Sequence, residues 1–108
     1  MSYPRRDEVW LIALDPARGS EIKKTRPCLV ISPDDMNETL QTVLVAPMTT
    51  TQRSYPTRVN IAFRNKTGQV ALDQLRAVAR ERLIRRLGSV STKAAHEVAG
   101  VLVEMFVR

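Results

Sequence analysis

Asp15-Pro-Ala-Arg-Gly-Ser-Glu-Ile-Lys-Lys-Thr-Arg-Pro-Cys-Leu-Val-Ile-Ser32 is the stretch from which both the fold class and the place to look for chemistry are read. Its first half holds Pro16, Gly19 and the cations Arg18, Lys23 and Lys24, so it reads as a polar loop. Its second half, Cys28 to Ile31, is an apolar run of strand length and reads as a buried strand. Arg26-Pro27 joins the two. Proline disfavours helical geometry in the residue before it, which holds Arg26 extended at the strand entrance. A carboxylate (Glu21), a hydroxyl (Thr25) and a guanidinium (Arg26) therefore meet where loop becomes sheet. Such a rim can grip a phosphodiester.

Outward from this stretch the chain reads as strands first and a helix last. Val9 to Leu14 is apolar on both sides of the alternation, the pattern of a central strand covered on both faces. Ser32-Pro33-Asp34-Asp35 reads as a helix start, with Ser32 as N-cap, Pro33 at the first helical position and acids in the first turn. That helix is expected to end near Asn37. Thr42 to Met48 is a β-branched third strand, Thr49 to Pro56 a polar loop, and Thr57 to Ala62 an alternating fourth strand. Arg64-Asn65-Lys66-Thr67-Gly68 reads as a turn. Gln69 to Leu72 and Leu75 to Val78 are short strands broken at Asp73-Gln74. Ala79 to Leu83 reads as a helical turn, and Ile84 to Val90 as a strand. From Ser91 the apolar residues Ala94, Ala95, Val98, Val101, Leu102, Met105 and Phe106 recur at three- and four-residue steps, which is an amphipathic helix capped by Ser91 or Thr92. The expected fold is mainly β with a C-terminal helix (α+β): a small antiparallel barrel or curled sheet with helices packed outside.

At 108 residues, the chain is of single-domain size, and residues 1–108 are expected to form one domain. Seventeen Lys plus Arg against eleven Asp plus Glu give a net charge of +6, and arginine outnumbers lysine. That balance favours a polyanionic partner, because the guanidinium meets phosphate with a planar fork of donors. Cys28 is alone, which excludes an intramolecular disulfide, and the single His96 leaves no Cys/His cluster for zinc. The run Val9 to Leu14 is too short for a signal-peptide core, and no stretch approaches membrane-spanning length. The expected setting is reducing and cytoplasmic, with no membrane attachment.

The available residues exclude several mechanisms. There is no pair of imidazoles for acid–base work, and His96 falls on a helix. Cys28 sits within a strand and reads as a small buried hydrophobe. No Gly-rich phosphate loop is present, and Asp34-Asp35 answer to the helix dipole. A metal-independent reaction at phosphorus, with no cofactor, stays open to these residues; it needs a charge stabiliser, a base, and a proton donor or polar clamp. Arg26 is the stabiliser of choice, since a fixed guanidinium meets two phosphate oxygens at once; the other role open to it is an ion pair with Glu21 or Asp73. Thr49 to Thr51, at a strand exit, either donate to phosphate or a ribose hydroxyl, or cap the turn. Glu21 is either a base with a raised pKa or a surface carboxylate offsetting Lys23 and Lys24. Arg18, Lys23, Lys24, Arg53, Arg58, Arg64 and Lys66 fall on loops and strand ends, where they form a groove for single-stranded nucleic acid, with Tyr55 and Phe63 as stacking platforms.

These residues resemble the MazF/PemK-like toxin endoribonucleases of bacterial type II toxin–antitoxin pairs. The resemblance runs through Asp7-Glu8-Val9-Trp10, Asp15-Pro16, Arg18-Gly19-Ser20-Glu21, Thr25-Arg26-Pro27, Val45-Ala46-Pro47-Met48-Thr49-Thr50, Tyr55-Pro56-Thr57 and Gly68-Gln69-Val70-Ala71-Leu72-Asp73-Gln74-Leu75-Arg76, and so covers nearly the whole chain. It implies an SH3-like barrel of the CcdB/PemK type working as a homodimer. The implied activity is metal-independent cleavage of single-stranded RNA, with mRNA as the expected target, at short sequence motifs. The ribose 2′-OH attacks phosphorus to leave 2′,3′-cyclic phosphate and 5′-OH ends. By position the resemblance makes Arg26 the phosphate-stabilising arginine, Thr49 the catalytic threonine and Glu21 the acidic residue near the scissile bond. It places Arg18, Lys23, Lys24, Thr25, Thr50, Arg53, Tyr55, Asp73 and Gln74 along the RNA. The implied partner is an antitoxin whose disordered tail fills the groove. One position departs from the pattern: some relatives carry arginine two residues before the Asp of the Asp-Gln turn, and this chain has Ala71. That shifts the expected mechanism from an Arg/Asp pair on this strand to Arg26 and Thr49. Two other classes share the outline: a gyrase-poisoning toxin, from which the absence of a C-terminal Trp departs, and a non-catalytic RNA-binding barrel.

Overall fold

The computed structural model describes residues 3–108. Seven strands and two helices follow in the order β1 (Glu8–Ala13), β2 (Thr25–Val30), α1 (Asp34–Thr39), β3 (Thr42–Thr49), β4 (Arg58–Phe63), β5 (Lys66–Ala71), β6 (Arg76–Ala79), β7 (Leu83–Ser89) and α2 (Thr92–Phe106). Single 3-10 turns at Leu72–Gln74 and Arg80–Arg82 flank β6. The strands form one antiparallel sheet in the order β4-β5-β3-β2-β1-β7, with β6 also on β3. β3 divides its length between two neighbours. Its first half pairs with β6 from Thr42↔Ala79 to Val45↔Arg76, and its end pairs with β5 through Met48↔Val70 and Thr49↔Gln69. A strand that changes partners midway makes the sheet curl. The two outer strands approach each other closely, since a Cβ added to Gly88 of β7 would lie 3.2 Å from Phe63 Cζ of β4. The result is a curled half-barrel with α2 packed on the outside.

The double-sided apolar pattern of the strands follows from this curl. Successive side chains point to opposite faces of a strand, and in the central strands β2 and β3 both faces are buried over residues 28–30 and 45–47. Val9, Leu29, Ala46 and Val70 join Ala94 and Val98 of α2 in one core. Ile12, Leu14, Cys28, Val30, Val43, Val45 and Val78 fill a second. Neighbours Cys28 and Leu29 thus lie in different cores, so neither face of β2 tolerates a polar residue there. Truncating a fully buried leucine such as Leu29 to alanine costs about 2–5 kcal/mol.

Both helices and the central turn show where local signals hold or yield. Ser91 caps α2, its hydroxyl accepting from the Ala94 N–H at 3.2 Å. Ser32 does not cap α1; Pro33 occupies the cap position with extended geometry. The Ser32 hydroxyl is buried instead, bonding Asn37 Oδ1 and accepting from the Leu44 N–H at 3.0 Å, so it ties α1 to β3 rather than opening the helix. α1 also runs to Thr39, two residues beyond the expected end. The turn after β4 needs only Arg64 and Asn65, both left-handed (φ 50° and 64°). That is the geometry of a two-residue hairpin turn. Lys66, Thr67 and Gly68 therefore belong to β5 rather than to the turn. No helix of the described residues is long and apolar enough to cross a membrane.

Candidate functional site

Arg26 and Thr49 come from adjacent strands. β2 and β3 pair as Cys28↔Pro47 and Val30↔Val45. Carried two residues further, that register sets Arg26 against Thr49. Both side chains line the same two concavities, one on either side of them. The first continues the core that α2 covers, floored by Leu11, Met48, Ile61, Phe63 and Leu87 and rimmed by Arg64, Lys66 and Arg85. The second is polar, bounded by Glu21, Lys23, Arg53, Tyr55, Asp73 and Gln74.

Arg26 is half-buried, and its Nε donates to the Lys23 carbonyl at 3.3 Å. Among the described residues no carboxylate lies within ion-pairing distance of it. The alternative of a structural ion pair with Glu21 or Asp73 is therefore not realised. Asp73 is held by Arg58 through Nε–Oδ1 at 2.7 Å and Nη2–Oδ2 at 3.1 Å, and it accepts from the Thr57 hydroxyl at 3.1 Å. The Arg58 hydrogen bonds hold the Asp73 carboxyl below the usual carboxylate range, against a smaller opposing effect of burial. Arg58 also lies over the Tyr55 ring, 5.1 Å from its centre.

Thr49 Oγ1 accepts from the Thr51 N–H at 3.1 Å. A hydroxyl that accepts still has its proton to donate, so turn capping and donation into the groove are compatible. Gly68 makes this placement possible: a Cβ there would stand 2.7 Å from the Thr49 carbonyl oxygen. Glu21 is exposed, and its carboxylate accepts from the Arg18 N–H, closing its own turn. Gln74 grips that turn on both sides of Glu21, accepting from the Ile22 N–H at 2.6 Å and donating to the Ser20 carbonyl at 3.3 Å.

The polar concavity thus gathers Arg26, Thr49 and Glu21 with Lys23, Arg53, Tyr55, Asp73 and Gln74, and Thr50 lines the apolar-floored one. Arg18, Lys24 and Thr25 are exposed but line neither. Lys24 is instead a backbone element, left-handed at φ 71° with its N–H on Asp15 Oδ1 at 2.9 Å. His96 is exposed on α2. Cys28 is buried, and burial pushes its thiol up to about 12. Three contributors escaped the sequence reading: Arg58 as the partner of Asp73, Gly68 as the spacer behind Thr49, and Gln69. Only Gly68 carried a local signal, a glycine at the edge of a β-branched run.

Chemically, the groove offers a guanidinium with no carboxylate partner beside a hydroxyl donor, cations along its walls, and one carboxylate, Glu21, that is in no ion pair among the described residues. That set suits a negatively charged group passing through a more negative transition state.

Comparison with known proteins identifies the family. Residues 5–106 match the family described as PemK-like, MazF-like toxin of type II toxin-antitoxin systems. Endoribonuclease MazF9 of Mycobacterium tuberculosis is 38% identical over 97 residues, covering 81% of this chain and 82% of the relative. The crystal structure of MazF from Deinococcus radiodurans superposes with a TM-score of 0.87 at 24% identity, covering all of both chains. An endoribonuclease in complex with its cognate antitoxin from a mycobacterial species superposes at 0.80 with 24% identity, over 94% of this chain and 92% of the other. By that family match and that relative, this chain belongs to the PemK-like, MazF-like toxins of type II toxin–antitoxin systems.

Proposed function

We propose that this toxin is an endoribonuclease that cuts single-stranded RNA at short sequence motifs by transesterification, with mRNA as its natural target. The observation that carries the reading is the pairing of Arg26, without a carboxylate partner, and Thr49 on the divide between two concavities. The scissile phosphate sits on that divide. Arg26 presents two donors to its non-bridging oxygens, and Thr49 adds a third. The ribose 2′-OH attacks phosphorus, its proton passing to a base of the groove, for which Glu21 is the carboxylate in place. The 5′-oxygen leaves and takes up a proton, giving 2′,3′-cyclic phosphate and 5′-OH ends. The charge gained by the phosphorane is met by the guanidinium, so this route calls for no metal and no cofactor. Lys23 and Arg53 hold the flanking backbone and Tyr55 offers a face for a base. Arg18, Lys24 and Thr25 meet the chain beyond the groove.

The mycobacterial neighbour is described in complex with its cognate antitoxin, which supports a partner of the same kind here. An acidic, flexible segment seated in the groove would cover Arg26 and block RNA. A homodimer in the cytoplasm is part of the same reading.

The test is incubation of the purified protein with a long RNA in EDTA, followed by mapping of cut positions and end groups. The expected result is a small set of cut sites bearing cyclic phosphate and 5′-OH ends. Intact RNA held in a stable complex would make the chain a binding module. Intact RNA with inhibited gyrase would move it to the other toxin class.

A further inference from the structure

Gln69 is a buried polar residue in a strand, only 5% exposed, and it is cross-strand partner to Thr49. Its carboxamide is wholly engaged. Oε1 accepts from the Arg53 N–H at 3.0 Å, while Nε2 donates to the Arg53 carbonyl at 3.1 Å and to Asn60 Oδ1 at 3.0 Å. The side chain thus brackets both backbone groups of one loop residue, as a neighbouring strand would. That residue lies in the segment between β3 and β4 that carries Thr50, Arg53 and Tyr55 into the two concavities. The rest of that loop is exposed from Thr50 to Pro56. Its ends are tied to the sheet by the Thr51 N–H on Thr49 Oγ1 and by the Arg58 N–H on the Tyr55 carbonyl. From Gln52 to Ser54 the Gln69 contacts are its only backbone hydrogen bonds to the sheet among the described residues.

We propose that Gln69 is a positioning residue: it fixes the 50–57 loop against β5 so that Arg53 and Tyr55 stand at a set distance from Thr49 and the scissile phosphate. This rests on the nuclease reading above. Only a carboxamide of this length supplies a donor and an acceptor in one plane. Glutamate keeps the shape but sets a carboxylate against the Arg53 carbonyl and Asn60 Oδ1. Methionine keeps the volume and removes both polar ends. With the clamp gone, the cations still draw RNA to the groove, but the loop no longer selects one geometry. Positional loosening of this sort costs up to about a hundredfold in rate, with KM changed far less than kcat. It also lets RNA sit in more than one register, so the preferred motif is read less strictly.

The experiment compares wild type, Gln69→Glu and Gln69→Met by melting temperature, by amide exchange at Arg53, and by kcat, KM and cut-site map on one long RNA. The expected result is faster exchange at the Arg53 amide, a kcat roughly ten- to a hundredfold lower with KM within a few-fold, and a broader set of cut sites, in variants that still melt cooperatively. Wild-type kcat and cut sites in either variant, with the Arg53 amide deprotected, would overturn the positioning role and leave the nuclease reading standing. Unchanged Arg53 exchange in both variants would overturn the clamp itself. A wild-type protein that cuts no RNA would overturn the nuclease reading, and this role with it.

Discussion

Arg58 Nε and Nη2 hold the two oxygens of Asp73 at 2.7 and 3.1 Å, and Arg58 is the cross-strand partner of Ala71. A guanidinium thus reaches Asp73 from the adjacent strand, at the level of Ala71. The pair is asymmetrically placed: the Arg58 side chain is 6% exposed and that of Asp73 29%. Its first consequence is mechanical, because it ties β4 to the 3-10 turn that opens β6. Its second is electrostatic. With Asp73 committed to Arg58, Arg26 has no carboxylate competing with a phosphate.

The pair makes stability depend on pH in a fixed direction. The folded carboxyl of Asp73 is lowered, chiefly by the Arg58 hydrogen bonds. Its stabilising contribution is therefore complete above the unfolded carboxylate range, near pH 4, and is lost as pH falls through the lower folded value. Asp73→Asn is expected to melt at lower temperature than wild type at neutral pH and to converge on it in acid. Arg58→Ala, which leaves Asp73 without its cation, is expected to cost about 1–3 kcal/mol. Melting curves from neutral pH to about pH 3 check this; a constant gap between wild type and Asp73→Asn across that range would refute it.

Much of this arrangement was legible in the sequence, and the reasons it stopped being legible are specific. Cys28 to Ile31 showed its strand because both faces of β2 are buried in separate cores. α2 showed itself by its period and its Ser91 cap. Thr49 was placed at a strand exit because Thr42 to Met48 is so rich in β-branched residues. Ser32 misled because a hydroxyl before Pro and two acids is a strong local capping signal, and a tertiary contact with Asn37 and Leu44 overrides it. Lys66 to Gly68 misled because polar residues beside Asn65 look like turn, although the left-handed pair 64–65 already completes it. Arg58 and Gln69 could not be found by spacing at all. Their roles exist only once the strands are paired, and neither residue type announces a partner nine to sixteen positions away.

Arg26→Ala is expected to lower RNA cleavage by about 10²–10³ while leaving the fold intact, since preorganised donors aimed at developing charge are worth that much. The fold should survive because Arg26 is only half-buried and makes one long hydrogen bond, to the Lys23 carbonyl at 3.3 Å. Arg26→Lys is expected to fail nearly as badly, because an ammonium has no planar fork. Single-turnover cleavage with circular dichroism on the same samples checks both. Full activity in a folded Arg26→Ala protein would remove the residue from the mechanism.

Gly68→Ala tests whether the close approach behind Thr49 matters. The added methyl would lie 2.7 Å from a backbone carbonyl, which cannot rotate away. β3 and β5 must then separate at Met48↔Val70 and Thr49↔Gln69. The expected outcome is a loss of about 1–3 kcal/mol in stability and a drop in cleavage larger than that of Thr49→Ala, because both Thr49 and the Gln69 clamp move. Chemical denaturation and a cleavage time course measure the two effects; wild-type values in both would show that the strands have room after all.

Cys28 is expected to be inert. Burial pushes its thiol up to about 12 and it lies wholly inside the second core. At neutral pH it should resist iodoacetamide in the folded state and react readily in denaturant, and Cys28→Ala should retain cleavage. Rapid labelling of the native protein would show that the second core opens.

The sharpest test of the mechanism replaces one atom of the substrate. In transesterification the nucleophile is the ribose hydroxyl on the 3′-oxygen side of the scissile phosphate, so the protein needs only to orient it, stabilise the phosphorane and move two protons. Removing that hydroxyl leaves the phosphate, the bases and every contact of Arg26, Thr49 and the flanking cations in place. An RNA with a single 2′-deoxy residue at the mapped cut site is therefore expected to bind as tightly as the parent and to remain uncut there, while secondary sites elsewhere on the same strand are still cleaved. If the groove instead positioned water as the nucleophile, the deoxy substrate would be cut at an undiminished rate and leave a linear phosphate. Binding measured by competition and cutting measured on the same labelled strand separate the two chemistries, because only the second quantity depends on which oxygen attacks.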